Sequence, residues 1–389
     1  MTTPLSSTAW LTERLHAELQ QRAQTGLLRQ LTPPAQLVDF TSNDYLGLAR
    51  SAPLAERIHE ATAPLTQNGA TGSRLLTGQS FEAAALETYL ARQYRAEAAL
   101  LFNSGYNANV GLLACLPQRG DTLLTDELIH ASLIDGARLS YATRQRFAHN
   151  DLADLEQKLQ QATGHVFVVV ESVYSMDGDE APLVALADLC DHYGAALLVD
   201  EAHASGVYGP MGAGLVVAHG LQHRVVARVH TFGKALGVHG AAVVGPTVLS
   251  HYLTNAARPF IYTTALPPHS LRAIRLAHDH VAQHPDLAQR LHQLIAFFRR
   301  TIQRIAPQLN WLDSTSPIQG VVVPGNDTVR AVARTVQAAG FDLRPIVSPT
   351  VAVGQERLRI CLHVYNTEAE IEELVGTLAA TCQAILCCS

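Results

Sequence analysis

Between about residues 80 and 245 the chain alternates two hydrophobic patterns. Short, mostly apolar runs at 99–102, 122–125, 166–170, 196–199, 225–231 and 241–244 predict buried strands. Between them, apolar residues recurring every three or four positions predict helices at 81–93, 152–161 and 183–193. Continuous apolar strands separated by helices predict a mostly parallel sheet covered on both faces, an α/β fold. Upstream, Trp10, Leu11, Leu15, Ala17 and Leu19 punctuate a polar stretch and predict an amphipathic helix at 8–24, followed by a Pro33-Pro34 turn and a short strand at 37–41. After Pro267-Pro268 the character changes. A long helical tract at 270–305, a strand at 318–323, a helix at 328–339, a strand at 357–362 and a final helix at 368–385 predict a smaller α+β domain. The expected organisation is an N-terminal helix and strand segment at 1–45, a large domain at 46–268 and the C-terminal domain at 269–389.

Composition narrows the function classes. With 48% hydrophobic and 16% charged residues, the chain reads as an ordinary globular protein. A formal charge of -6 offers no basic face for a phosphate backbone, so nucleic acid is not an expected partner. The longest uncharged stretches, 202–223 and 235–257, are broken by Gly, Pro and His and make poor membrane spans. The opening Met-Thr-Thr-Pro lacks a basic segment followed by an apolar one, and the expected location is cytoplasmic. Cysteines at 115, 190, 361, 382, 387 and 388 show no C-x-x-C spacing, which predicts a reduced protein without a zinc site.

In parallel α/β sheets ligands sit at the carboxyl ends of the strands. Here strands run into Glu171-Ser172, into Asp200-Glu-Ala-His203, and into Thr231 and Lys234. The chain carries 26 arginines and two lysines, Lys158 and Lys234. Arginine stays protonated, whereas a desolvated lysine amine can lose its proton and bond an aldehyde as a Schiff base. Lys158 lies in a polar helical stretch and reads as a surface residue; Lys234, in the glycine-studded run 230–240, is the candidate nucleophile. Asp200 has two readings, a cap for the turn after its strand or a carboxylate facing a cationic cofactor ring. His203 lies near enough to reach the same ring, and His130 could stack on it. Ser104-Gly105-Tyr106 opens a helix after a strand, and free N–H groups at helix N-termini bind phosphate. Asp200-Glu-Ala-His203 also spells a helicase box, but no G-x-x-x-x-G-K-[ST] phosphate loop accompanies it.

These segments resemble the pyridoxal phosphate-dependent α-oxoamine synthases, a branch of the fold-type I superfamily. The resemblance is carried by Asn103-Ser-Gly-Tyr106, Asp200-Glu-Ala-His203 and Thr231-Phe-Gly-Lys234. Further matches are Ser42-Asn-Asp-Tyr-Leu-Gly-Leu48, Arg146-Phe-Ala-His-Asn-Asp151, Glu171-Ser-Val-Tyr-Ser-Met-Asp-Gly178 and Ile261-Tyr-Thr-Thr264, in family order over about residues 40 to 365. The resemblance implies a mostly parallel central sheet flanked by helices and pyridoxal 5'-phosphate (PLP) as cofactor. It makes Lys234 the cofactor's covalent attachment point and Asp200 the partner of its ring nitrogen. His130 would stack on the ring; His203 and Ser175 would meet its phenolic oxygen, with Glu171 also at the cofactor. Gly105, Tyr106 and Thr231 would hold the phosphate, with Thr263 or Thr264 reaching it from a second subunit of a homodimer. Arg359 would grip the amino-acid carboxylate, with Asn43 and His130 beside it, and Arg29 and Thr350 would contact the acyl substrate. The implied reaction is an acyl transfer with decarboxylation: an amino acid and an acyl-CoA or acyl-carrier protein give an α-amino ketone. The branch using L-alanine and a pimeloyl thioester in biotin biosynthesis is most similar; synthases using glycine, serine or long acyl chains, and a plain aminotransferase, are the alternatives. Two departures stand out: His239 occupies a position where the family often has a small polar residue, and the run 69–78, close to the substrate, differs from several subfamilies.

Overall fold

The computed structural model describes residues 7–31 and 36–386. Two units divide between Leu37 and Val38. In the first, helix α1 (Ser7–Gln24) ends where Gly26 takes a left-handed φ of 69° and Leu27 N–H bonds back to the Arg22 carbonyl at 2.7 Å. Glycine adopts that conformation without a Cβ penalty, which stops the helix. The expected Pro33-Pro34 turn lies outside the described residues.

The second unit begins with β1 (Val38–Asp39) and α2 (Ala52–Thr62), then α3 (Phe81–Gln93) and β2 (Ala98–Phe102). From there strands and helices alternate: α4 (Gly105–Cys115), β3 (Thr122–Asp126), α5 (Ala131–Leu139), β4 (Thr143–Phe147), α6 (Leu152–Gln161), β5 (Val166–Glu171), α7 (Leu183–Tyr193), β6 (Ala196–Asp200), β7 (Val225–Thr231) and β8 (Ala241–Gly245). Strands β2 to β8 form one seven-stranded sheet in the order β2-β8-β7-β6-β5-β3-β4. It is mostly parallel, as expected; β8 alone runs antiparallel to its neighbours β7 and β2. Side chains alternate across this sheet with period two. Val169 and Leu198 pack with Leu112 and Leu133 under α4 and α5, whereas Val168, Val170, Leu197 and Val199 face the opposite core with α7. Because the parallel strands share a direction, Asp126, Glu171, Asp200 and Thr231 all emerge at one edge.

The remainder builds a three-stranded antiparallel sheet from β9 (Ile318–Val322), β11 (Arg344–Ile346) and β12 (Arg357–Cys361), while β10 (Phe341–Asp342) pairs with β1. Two expectations need correction. The helical tract at 270–305 is two helices, Pro268–Gln283 and Pro285–Ile305. Proline at 285 has no N–H to donate and disfavours the helical conformation at His284, which sits at φ -124°, ψ 65°. Strand β4 was also missed, because Thr-Arg-Gln-Arg-Phe at the sheet edge leaves its polar side chains to solvent and shows no apolar run. Among the described residues no helix is long and apolar enough to cross a membrane.

Candidate active site

Asp200 ends β6 at the carboxyl edge of the sheet and is buried. The capping reading of this aspartate is seen directly. Oδ1 accepts the Ala202 N–H at 2.8 Å and caps the turn, while Oδ2 accepts the side-chain amide of Asn109 at 2.7 Å. Asn109 rides on α4, whose first turn is capped by Ser104 Oγ accepting the Asn107 N–H at 3.2 Å. A Cβ at Gly105 would stand 3.1 Å from the Thr231 Cβ, so glycine lets the helix start close against the end of β7. The second amide hydrogen of Asn109 goes to Ser132 Oγ at 2.9 Å, and Ser132 Oγ lies 2.7 Å from His130 Nδ1. His130 caps α5: its Nδ1 also accepts the Ser132 N–H at 3.2 Å. Burial lowers its pKa, with the Lys234 charge adding to that and Asp200 opposing it.

Lys234 sits in the turn from β7 to β8, held by Gly237 N–H to its carbonyl at 2.8 Å and by Phe232 N–H to Gly240 O at 2.9 Å. Gly237 takes φ +64°, and a Cβ there would lie 2.3 Å from Ala49 N, so the turn is wedged against the chain after Leu48. The amine lies 2.7 Å from His203 Nε2. His203 Nδ1 is 2.8 Å from the Tyr45 hydroxyl, which donates to Asn43 Oδ1 at 3.0 Å. Arg359 on β12 reaches the same oxygen with Nη2 at 3.0 Å and donates from Nε to the Ser175 carbonyl at 2.7 Å. Lys234, His203, Tyr45, Asn43 and Arg359 therefore form one continuous chain of contacts. Burial brings the Lys234 pKa down to about 8, against the pull of Asp200 and Glu171. Burial, with the charges of Lys234 and Arg359, holds His203 neutral, well below the usual histidine range. A neutral imidazole offers one donor and one acceptor, which matches its position between an amine and a hydroxyl.

Glu171 pairs in register with Asp200 across β5 and β6 and is buried. Burial and the neighbouring Asp200 push its pKa up. Thr263 Oγ1 accepts from Asn103 Nδ2 at 3.0 Å, two residues before Gly105, and Thr264 follows it along the same cleft. The Tyr106 hydroxyl is bonded to Asp135. Thr350 is exposed in a turn, its N–H bonded to the Val347 carbonyl at 2.9 Å, and among the described residues it makes no hydrogen bond to this cluster. Arg29 belongs to the first unit, exposed in the irregular stretch after α1. The sequence reading passed over Tyr45, Asn109 and Ser132. Tyr45 stood in a matched segment; the buried Asn109 and Ser132 carried no signal, since a polar residue inside a helix is informative only when its neighbours are known.

The site fits PLP on three counts. The N-terminal turn of α4 meets the end of β7 at Gly105, an amine of lowered pKa faces an aspartate from across the edge, and Glu171 Oε1 is buried with no hydrogen-bond partner among the described residues. The aminotransferase class I and II family model matches residues 35–378, and the chain belongs to this PLP-dependent family, in its α-oxoamine synthase branch. The 8-amino-7-oxononanoate synthase of Emericella nidulans is 41% identical over 403 aligned positions, which cover 96% of each chain. Among solved structures, the 8-amino-7-oxononanoate synthase of Francisella tularensis superposes with a TM-score of 0.78 at 29% identity, covering 90% of this chain and 98% of that one. Serine palmitoyltransferase from S. paucimobilis, with bound PLP and myriocin, gives a TM-score of 0.86 at 26% identity over 96% of this chain and 98% of its own. The chain is an acyltransferase-type enzyme with PLP as its cofactor.

Proposed function

We propose that the enzyme condenses L-alanine with a pimeloyl thioester, carried by coenzyme A or a carrier protein, releasing carbon dioxide and 8-amino-7-oxononanoate for biotin biosynthesis. The observation that carries this reading is the Lys234 amine, lowered to about 8 and 2.7 Å from His203, in a chain of contacts that ends on Arg359. The names of relatives about 40% identical over nearly the whole chain support the choice of substrates.

When bound, PLP supplies an aldehyde for covalent attachment and a ring that withdraws electrons from the α-carbon. Lys234 Nζ would be the group that holds that aldehyde and, when free, would serve as the general base for the α-proton. Near neutrality its lowered pKa leaves a useful fraction of the amine unprotonated. His203 Nε2 is the acceptor nearest to Nζ and would orient the amine whenever it is free. Asp200 would face the ring nitrogen, His130 would pack on the ring, and Ser175 and His203 would line its oxygen side. Gly105, Tyr106 and Thr231 would hold the phosphate. Arg359 and Asn43 grip the amino-acid carboxylate, a planar task suited to guanidinium, and Arg359 exchanges its bond to the Ser175 carbonyl for the substrate. Holding that carboxylate orients the α-carbon for both proton removal and loss of carbon dioxide. Arg29 and Thr350 are assigned to the acyl chain.

The reading includes a cytoplasmic homodimer, with Thr263 and Thr264 completing the partner's phosphate site. Supporting it, the exposed apolar residues Leu75, Leu76 and Tyr262 flank the joint where Ala265 N–H bonds to Gly72 O at 3.0 Å, and such patches mark interaction surfaces. It also includes a division near residue 268 between a cofactor-binding part and a C-terminal α+β part, each with its own sheet.

The test is product mass from alanine, glycine or serine paired with pimeloyl, acetyl, succinyl, octanoyl or palmitoyl thioesters. Alanine with pimeloyl is expected to win. One methyl group distinguishes alanine from glycine by about 10- to 200-fold, while the distal carboxylate of pimeloyl needs a charged or hydrogen-bonding partner and sets a stronger preference. Preference for an uncharged acyl chain, or for glycine, would overturn the substrate assignment and leave the α-oxoamine synthase chemistry standing.

A further inference from the structure

We propose that Asn109 is a positioning residue that ties the two flanks of the cofactor site together, holding Asp200 with one amide hydrogen and, through Ser132, His130 with the other. The inference rests on the roles given to Asp200 and His130 above.

Asn109 is 2% exposed and donates at 2.7 Å to Asp200 Oδ2 and at 2.9 Å to Ser132 Oγ. Its own Oδ1 is buried and has no partner among the described residues. That asymmetry fixes which way the amide faces. Flipping it would set Oδ1 against the Asp200 oxygen, acceptor against acceptor, so the orphaned carbonyl is the smaller cost. An amide held at the expense of its own acceptor has been placed for its two donors.

The second donor has a consequence at His130. Ser132 is fully buried, and its Oγ accepts from Asn109. Its hydroxyl hydrogen then has His130 Nδ1, 2.7 Å away, as its acceptor, and the Ser132 N–H points at the same nitrogen from 3.2 Å. Two donors on Nδ1 require a lone pair there, so the ring proton resides on Nε2. Protonating Nδ1 would turn a donor toward both a hydroxyl hydrogen and an N–H. The charged and titratable groups facing His130 are Asp200 from β6, Glu171 from β5, His203 from the turn after β6, and Lys234 from the β7–β8 turn. Of these, Asp200 favours a charged imidazole, and Asn109 binds that same carboxylate. One amide thus occupies the anion on one flank and commits the imidazole on the other to its neutral form.

The test compares wild type, Asn109→Ala, Asn109→Asp, Ser132→Ala and the Asn109→Ala/Ser132→Ala double variant as PLP-loaded enzymes. Readouts are the pH dependence of the cofactor absorbance, the pH profile of kcat/KM for the amino acid, the rate of PLP loss and the melting temperature. Releasing Ser132 from Asn109 leaves its hydroxyl free to turn its hydrogen away and accept from a protonated Nδ1, and removing Ser132 deletes a donor to that nitrogen. Asn109→Ala and Ser132→Ala are therefore each expected to raise the acid limb of the profile by roughly one pH unit, with no further shift in the double variant. Asn109→Asp, of the same shape, sets a carboxylate against Asp200 and is expected to release PLP roughly tenfold faster. If Asn109→Ala does not fold, the Asp and Ser132 variants carry the test. Unchanged pH profiles with a lowered melting temperature, or shifts that add in the double variant, would overturn the proposal and leave Asn109 a packing residue. A wild type that shows no PLP absorbance would instead overturn the cofactor roles on which it rests.

Discussion

A lysine amine that must attack an aldehyde works only without its proton, and burial supplies that state at Lys234 by lowering its pKa to about 8. Apoenzyme is thus expected to take up PLP faster as pH rises from 6, with the rate levelling above about 8. Rapid-mixing absorbance measures this directly, and a flat profile would contradict a titrating amine. Lys234→Ala should abolish covalent attachment, so borohydride tags a peptide containing Lys234 in wild type and none in the variant. A tag on Lys158 would refute the assignment; that amine is bonded to Asp154 at 2.6 Å across one turn of α6. At this scale the sequence was informative where chemistry demands a residue type. Lys234 stood out because arginine cannot do the work proposed for it. Asn109 and Ser132 did not, because their importance lies in which atoms they touch.

Elements place these residues, and the edge strand β4 shows how. It delivers His149 to a point between two loops of the site, where Nδ1 meets Asp126 at 3.0 Å and Nε2 meets Asp179 at 2.7 Å. Asp126 precedes the His130 loop, and Asp179 closes the turn that follows Ser175, with Tyr174 edge-on to the imidazole. Burial by itself would lower the His149 pKa, but hydrogen bonds and charge from Asp126 and Asp179 raise it to about 10. The folded protein therefore binds this proton more tightly than the unfolded chain does. Its contribution to stability is complete below the unfolded value near 6.5 and is lost as pH rises through about 10. His149→Gln keeps a donor and removes the charge. Wild-type melting temperature should fall more steeply between pH 7 and 10 than that of the variant, and parallel curves would rule the ion pair out as the cause. Below pH 7 the variant should be less stable by about 1.5 to 3 kcal/mol, since the buried Asp126 and the half-buried Asp179 lose their counter-charge.

For the whole molecule, the expected state is a homodimer. Charge placed in the exposed apolar joint, as in Leu76→Asp, should shift sedimentation toward monomer and weaken PLP retention together, because the same face neighbours Thr263. A monomer fully active at nanomolar concentration would exclude the shared site. The apolar pattern that made the seven-stranded sheet legible has no counterpart for such a surface: Leu75, Leu76 and Tyr262 read as ordinary apolar residues until their exposure is known.

The sequence by itself determined the buried strands, several of the helices between them and the residue types at the strand ends, because burial imposes a period of two or of 3.6 and the chemistry needs particular side chains. It did not reveal β4, whose polar residues belong to an edge, or the break at Pro285 inside an otherwise continuous helical pattern. Only the tertiary structure decided which groups meet. The pair Asn43 and Tyr45 lies far from Lys234 and Arg359 in the chain, and the three sites become one set of contacts because β12 and the segment after β1 fold over the carboxyl edge of the sheet. Lowering the lysine pKa, holding His203 neutral and orienting Asn109 all depend on those distances, and a linear pattern carries no record of distances between residues that are remote along it.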